Sequence, residues 1–326
     1  MEAVDLRPLS LGELLDRTFR LYRNHFALFV GIMALPAAFW LPLNVLVLSY
    51  QGTLMGRAAT APGRPPMVPT PGEIVGLMTA VFAILVLSGL LYSIAVAAAS
   101  SAVADVYLGR PATVRGSYAK IHGRLFKLLG VILNILLRMF GLLVIVMGVL
   151  ASGIAGIGLL FGGGRGNPIF AVLFAIALFF AYLAGMAFCI YFWLRYALSV
   201  PVLMIENLGV FATIRRSIFL TRGRRGHIFL AMLVGAIIAY AGIFVFQIPF
   251  TIAMMVSAAQ GHWSQWLAFA AAVFSSLGSA LTGPISMIAI VLLYYDSRIR
   301  KEAFDLQFML SSLDHSSSAA GTIAPA

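Results

Sequence analysis

Six long apolar runs are the feature of this sequence that most constrains its fold. Each holds about 20 or more mostly apolar residues, the length that an α-helix needs to cross ~30 Å of hydrocarbon. The composition agrees, because 61% of the 326 residues are hydrophobic, only 10% are charged and the mean hydropathy is +0.99. The sequence therefore predicts an all-α integral membrane protein with six transmembrane helices, at Phe26–Leu48, Ile74–Ala99, Met139–Phe161, Pro168–Leu194, Ile228–Met255 and Trp266–Tyr294. The third could begin earlier, because Leu125–Leu137 is also apolar.

The lysines and arginines outside these runs lie mainly on one side. Seventeen of the 22 fall in the two terminal segments and in the second and fourth connections, whereas Arg57, Arg64 and Arg165 fall in the first and third. Because positive residues collect on the cytoplasmic side of a membrane protein, both termini are predicted to be cytoplasmic. The net charge of +11 then indicates contact with anionic lipid headgroups rather than with nucleic acid.

A basic segment precedes the second and the third pair of spans, and the two copies match at an offset of one hundred residues. Residues 213–227 read "TIRRSIFLTRGRRGH", with five arginines. The shared residues are Thr113, Arg115, Ser117, Gly123 and Arg124 in one copy and Thr213, Arg215, Ser217, Gly223 and Arg224 in the other. A weaker match places Arg20 and Arg23 on Arg222 and Arg225. The pattern predicts a repeated amphipathic helix.

Capping residues define where these helices begin. Ser10 with Glu13 three residues later forms a capping-box pattern before the first helix. Thr113 and Thr213 are the predicted caps of the second and third helices. Because every unit then holds two spans, the copies share one orientation and are parallel repeats.

These elements define one membrane domain, residues 9–310, between an N-terminal tail at 1–8 and a disordered tail at 311–326. The repeat units are 9–105, 112–206 and 212–296, each an amphipathic interfacial helix followed by a two-span hairpin. A C-terminal amphipathic segment follows at 297–310. Each hairpin ends near a carboxylate, Asp105, Glu206 or Asp296.

The arginines of the amphipathic helices are candidates for binding anionic lipid. An interfacial helix buries its apolar face at the headgroup boundary, and each basic residue there contributes ~1 kcal/mol on an anionic surface. The alternative is that these residues only enforce the orientation of the spans. The candidates are Arg20, Arg23, Arg115, Arg124, Arg215, Arg222 and Arg225.

Two further arginines, Arg138 and Arg195, lie at the edges of apolar runs in the middle unit. Charge near hydrocarbon is costly and often marks a binding site, so these two, with Asn134, are a candidate anion site. The alternatives are snorkelling to the interface or pairing with Glu206 or Asp105.

Small residues and prolines mark points of helix packing. Gly148, Ser152 and Gly156 share one helix face, which predicts close packing within the chain or between two copies. Pro284 should kink the sixth span, where nearby hydroxyls, Thr282 among them, could satisfy the freed backbone groups.

The sequence offers no pattern that indicates catalysis. The five histidines show no ligand spacing, the single cysteine lies in an apolar run, and no nucleophile elbow or phosphate-binding loop occurs. No cofactor, metal or catalytic residue is therefore predicted.

Three stretches of the sequence resemble the motifs of a known protein family: "LRPLSLGELLDRTFRLYRNHF", "RSIFLTRGRRGHIF" and "LLYYDSRIRKEAFDL". With them the chain, over about residues 6–308, resembles the bacterial family called the glycerophosphoryl diester phosphodiesterase membrane domain. The resemblance implies a stand-alone member in a bacterial inner membrane. A catalytic barrel of that family needs about 250 further residues, for which this chain has no soluble region.

The leading hypothesis is thus a non-enzymatic membrane module whose basic cytoplasmic helices engage membrane lipids, anionic ones in particular, or a partner protein. A homo-oligomer is a further option. The alternative is a small transporter or lipid-translocating protein that uses an anion site near Arg138 and Arg195. A membrane-embedded enzyme is the least favoured hypothesis.

Overall fold

The computed structural model describes residues 9–59, 71–107, 109–161, 168–260 and 264–302. Within these ranges the chain forms ten α-helices and no strand. Four are short, of 8 to 14 residues: α1 (Leu11–Asn24), α4 (Val114–His122), α7 (Ser199–Glu206) and α8 (Val210–Thr221). Six are long: α2 (Phe26–Ala59), α3 (Pro71–Tyr107), α5 (Leu125–Phe161), α6 (Pro168–Tyr196), α9 (Arg225–Ala259) and α10 (Gln265–Glu302).

The six long helices are long and apolar enough to cross a membrane, and they match the predicted spans in number and order. The third begins at Leu125, so the apolar stretch before Met139 belongs to the same helix. The last continues without a break to Glu302, so the first six residues of the predicted segment 297–310 extend α10. Residues 303–326 and 1–8, which include both predicted tails, lie outside the described residues.

Two of the three predicted caps are confirmed. Ser10 and Glu13 form the reciprocal capping box of α1, and the amide of Gly116 donates to Thr113 Oγ1 at 3.1 Å. The prediction for Thr213 is wrong, because α8 begins earlier, after Gly209. Thr213 is fully buried in the first turn, and its hydroxyl has no hydrogen-bond partner among the described residues.

A short helix precedes each pair of long helices: α1 before α2, α4 before α5, and α8 before α9. The second and third pairs begin at Leu125 and Arg225, which keeps the hundred-residue offset of the sequence match. This order is compatible with three units, and the repeat stays a prediction. Helix α7 is an extra element that no sequence pattern indicated; Asn207, with φ of 50°, ends it in the left-handed conformation.

The buried core lies at one end of the bundle, where α2, α5 and α9 begin and where α3, α6 and α10 finish. We call this the basic end. Fully buried residues there come from several helices: Leu14, Ala97, Leu128, Leu203, Leu220, Ile228, Ile288 and Leu292. Towards the other end, α6 and α9 expose large apolar side chains such as Phe179, Phe180, Phe244 and Val245.

Helices α9 and α10 pack closely through small residues and hydroxyls. Thr282 Oγ1 donates to the carbonyl of Ala239 at 2.8 Å, and Ser286 Oγ donates to the carbonyl of Gly235 at 3.2 Å. A Cβ added to Gly278 would lie 3.2 Å from Ile243 Cα. Small residues permit such close backbone approach, and the hydroxyls then bond across the two helices. Thr282 thus links two helices in addition to bonding within its own.

The predicted packing face of Gly148, Ser152 and Gly156 makes no close contact with the described part of the chain. A Cβ added to Gly148 or Gly156 would meet nothing within 4 Å. Gly153, on another face of α5, instead approaches Leu178 of α6. Packing within the chain through the predicted face is therefore wrong, and packing between two copies stays a prediction.

Candidate functional site: the basic end

Each carboxylate that closes a predicted hairpin bonds to a basic residue of the segment that follows it. Asp105, at the end of α3, accepts from Lys120 Nζ of α4 at 2.6 Å. Glu206, at the end of α7, accepts from Arg216 Nε of α8 at 2.9 Å. The short helices are thus held to the bundle by ion pairs as well as by apolar contacts.

The third of these carboxylates, Asp296, joins the two ends of the described chain. Its fully buried side chain accepts from the backbone amide of Leu9 at 2.9 Å and from Arg224 Nη1 at 2.7 Å. Arg300 Nε donates to Asp296 Oδ1 at 2.9 Å, and the same guanidinium donates to the carbonyl of Leu9. A buried carboxylate needs this degree of pairing, because an unpaired charge there would be very costly.

A second cluster surrounds Arg216. Its guanidinium binds both Glu206 and Glu302, and Tyr294 donates its hydroxyl proton to Glu206 at 2.9 Å. Arg298 lies 3.2 Å from Glu302. Burial by itself lowers the pKa of Arg216, but the hydrogen bonds to Glu302 and Glu206 outweigh it and raise that pKa. Arg216 therefore stays charged and serves to hold α8, α7 and α10 together.

Two tyrosines fix the short helices to the backbone of the long ones. Tyr22 of α1 donates to the carbonyl of Leu281, and Tyr118 of α4 donates to the carbonyl of Ile32 at 2.6 Å. Burial raises the pKa of Tyr118 to about 12, which keeps the phenol protonated and able to donate.

These contacts divide the nine arginines that the sequence singled out into three groups. Arg124 donates to the carbonyl of Met204, and Arg20 forms an exposed pair with Asp16 at 2.8 Å. Four others are exposed at the basic end and form no ion pair with a described acidic residue. We call these four the basic rim: Arg23, Arg115, Arg215 and Arg222.

The remaining three predicted arginines lie around the end of α6. Arg138 of α5 contacts the hydroxyl of Tyr196 at 3.3 Å. Arg195 stacks on Phe192, with its Cζ 5.2 Å from the ring centroid. Arg225, the first residue of α9, donates to the hydroxyl of Tyr191 at 2.7 Å, and its Cζ lies 4.4 Å from that ring. All three therefore contact α6 within residues 191–196.

The suggestion that Arg138 or Arg195 pairs with Glu206 or Asp105 is wrong, because those carboxylates bind Arg216 and Lys120. No described carboxylate forms an ion pair with either arginine. Arg138 is exposed, whereas the Nε of Arg195 is buried without a partner, as is Oδ1 of the predicted third member, Asn134.

A surface groove of about 640 Å³ lies along α1. Its lining combines basic and aromatic side chains with one carboxylate, and Phe19 and Phe26 are both exposed. The lining residues are Asp16, Phe19, Arg20, Tyr22, Arg23 and Phe26. This groove places two predicted arginines, Arg20 and Arg23, beside exposed aromatic rings.

Metal-ion chemistry needs a cluster of suitable ligands, and the described part of the chain holds no group of three or more His, Cys, Asp or Glu residues placed to bind an ion. Its clustered carboxylates are instead paired with arginine and lysine.

No protein-family model, curated protein or solved structure matches the chain. The family resemblance therefore stays a prediction.

The sequence did not point to several residues of the basic end. Tyr191 and Tyr294 lie in apolar runs, where an aromatic residue normally indicates an interfacial anchor. Glu302 lies beyond the last run and gives no sign of a contact with α8. The one available signal was the pair Arg298 and Glu302, four residues apart and opposite in charge, which predicts only a contact within the helix.

Proposed function

We propose that this protein is a non-enzymatic, multi-pass protein of a bacterial inner membrane whose basic rim engages anionic lipid headgroups. Both termini and the basic end face the cytoplasm in this proposal. The six apolar helices are compatible with a polytopic membrane protein. The three motifs quoted above support membership, as a stand-alone membrane region, of the glycerophosphoryl diester phosphodiesterase membrane domain family.

One observation carries the proposal: the described ion pairs leave the arginines of the basic rim exposed at one end of the bundle. Asp105, Glu206 and Asp296 are occupied by other basic residues. Arg115, Arg215 and Arg222 thus remain exposed without an acidic partner among the described residues. A membrane surface with anionic lipids supplies the missing negative charge, and lysine and arginine next to a membrane bind it by this mechanism.

The geometry supports a lipid-engaging module over a transporter. A transport site near Arg138 and Arg195 would need both guanidinium groups to face one cavity. Each instead stacks on an aromatic ring of α6, and Arg138 is exposed on the outside of the bundle. The groove described above lies on α1, at the surface.

The test measures which lipids surround the protein. The purified chain is reconstituted in bilayers of phosphatidylcholine, and electron paramagnetic resonance of spin-labelled lipids gives the relative association of phosphatidylglycerol and phosphatidylcholine. We expect the wild type to prefer phosphatidylglycerol and salt to weaken the preference, because exposed charges are screened within ~10 Å at 0.1 M salt.

Two matched variants decide the result. The triple variant Arg115→Gln, Arg215→Gln, Arg222→Gln should lose most of the preference. A control that removes three arginines from the predicted external side, Arg57→Gln, Arg64→Gln, Arg165→Gln, should retain it. Equal selectivity in both variants would contradict the proposal and direct the search towards a protein partner.

A further inference from the structure

The seam between α6 and α9 holds two arginines on neighbouring aromatic rings, Arg225 on Tyr191 and Arg195 on Phe192. Arg225 Nη1 donates to the Tyr191 hydroxyl at 2.7 Å. Arg195 lies four residues after Tyr191 on α6, and residues at this spacing share a helix face. The rings of Tyr191 and Phe192 are 5.8 Å apart, so two helices from different predicted units place two arginines on adjacent rings of one seam.

These groups have hydrogen-bonding capacity that the described residues do not use. The Nε atoms of Arg195 and Arg225 are both buried without a partner, and no described carboxylate pairs with either side chain. The Tyr191 oxygen accepts from Arg225, so its own proton is available for another acceptor. A positive charge that is partly removed from water needs a counter-charge, and since no described carboxylate supplies one, an anion from outside the chain can do so.

The start of α9 adds a further positive potential. Arg225 is the first residue of this 35-residue helix, and its first turn contains no acidic residue. The first backbone N–H groups of a helix have no partner within it, and the helix dipole is positive there. The seam thus favours an anion with several acceptor oxygens, and arginine suits phosphate because its planar fork can bind two oxygens.

The surroundings of the seam suit a phosphate that carries acyl chains. Below it, towards the centre of the predicted spans, both helices expose apolar side chains, including Phe188 of α6 and Leu230 and Leu233 of α9. We propose that the seam between α6 and α9 binds the headgroup phosphate of an anionic phospholipid, with Arg195 and Arg225 as the cationic groups and the Tyr191 hydroxyl as a donor. Zwitterionic lipids bind less well, because their own cation would face the arginines.

This inference rests on the proposed function for the membrane orientation alone and does not depend on the basic rim. Lipid binding at the seam and lipid binding at the basic rim differ in their response to salt and in the residence time of the lipid. A rim of exposed arginines gives weak, rapidly exchanging and salt-sensitive contact. A partly buried site on two arginines retains its lipid for longer and at higher salt, because buried charges are screened less.

The experiment is native mass spectrometry of the full chain in detergent, after incubation with equal amounts of phosphatidylglycerol and phosphatidylcholine. We expect the wild type to retain one phosphatidylglycerol. The variant Arg195→Gln, Arg225→Gln should lose its retention by at least about tenfold, since it removes two charge-assisted contacts. Tyr191→Phe should lose less, because it removes one neutral donor.

The matched control is Arg215→Gln, Arg222→Gln, which removes the same charge from the rim and should retain the lipid. Thermal unfolding of each variant in detergent establishes that it is folded. Arg195→Lys, Arg225→Lys provides a second variant that keeps the charge but loses the planar fork, and we expect intermediate retention. If it binds as little as the glutamine variant although it is folded, charge does not hold the lipid and the proposal fails.

Three other results would overturn the proposal. The first is equal retention of phosphatidylcholine and phosphatidylglycerol by the wild type. The second is loss of the lipid in the rim control with retention in Arg195→Gln, Arg225→Gln, which would leave the proposed function in place. The third is displacement of phosphatidylglycerol by millimolar inorganic phosphate, which would assign the site to free phosphate.

Discussion

Asp296 accepts hydrogen bonds from three partners that are far apart in the sequence, Leu9, Arg224 and Arg300. Asp296→Asn keeps the shape of the side chain but removes its negative charge. Arg224 and Arg300 then have no carboxylate partner at this position. We expect a loss of about 3 kcal/mol in the free energy of unfolding, at the lower end for a broken buried pair because both arginines keep some contact with water. Tryptophan fluorescence during thermal unfolding in detergent measures it.

The control is the same substitution in an exposed pair. Asp16→Asn breaks the contact with Arg20, and because more than half of each side chain is exposed we expect a change below about 1 kcal/mol. Equal losses in the two variants would mean that Asp296 is not a structural anchor.

At this scale the sequence predicted residue types better than partners. Asp105, Glu206 and Asp296 could be singled out because a carboxylate at the end of an apolar run is rare. Their partners could not be identified, since Leu9 and Asp296 are 287 positions apart and only the fold brings them together. Arg225 was predicted as a candidate for binding anionic lipid, and its contact with Tyr191 depends on how α6 and α9 are placed.

Helices α9 and α10 approach so closely that a larger residue at Gly278 has no room. Gly278→Val would force its side chain against the backbone of Ile243 and the ring of Phe246. We expect a destabilisation of about 1–3 kcal/mol, the usual cost of overpacking. Gly148→Val is the matched control, because a Cβ there meets nothing within 4 Å of the described chain.

Thermal unfolding of these two glycine variants in detergent tests the difference, and equal stability would contradict the close packing of α9 and α10. The face that the sequence predicted for close packing is not the one used between α9 and α10, and its packing between two copies stays a prediction. Glycine spacing identifies a face that permits close approach, but a Cβ added to Gly148 or Gly156 meets nothing within 4 Å of the described chain, whereas one added to Gly278 meets α9. Likewise Thr213 looked like a cap, but the turn at Asn207 starts α8 before it.

The number and order of the long helices followed from the sequence, because an apolar run is a local property. The orientation of the chain across the membrane is a separate prediction, and variants that carry a single introduced cysteine can test it. With Cys189 replaced by alanine, Arg215→Cys should react with a membrane-impermeant maleimide only after the inner membrane is opened. Arg165→Cys should react in intact spheroplasts, and the reverse pattern would contradict cytoplasmic termini.

The contact between Leu9 and the end of α10 has a consequence for biosynthesis. Leu9 leaves the ribosome well before Asp296 and Arg300, because Asp296 lies 287 positions later in the chain. The hydrogen bonds of Leu9 to Asp296 and Arg300 can therefore form only after α10 has been synthesised, long after the first helices. A product truncated before α10 would lack this closure and would leave Arg224 without its carboxylate partner, Asp296.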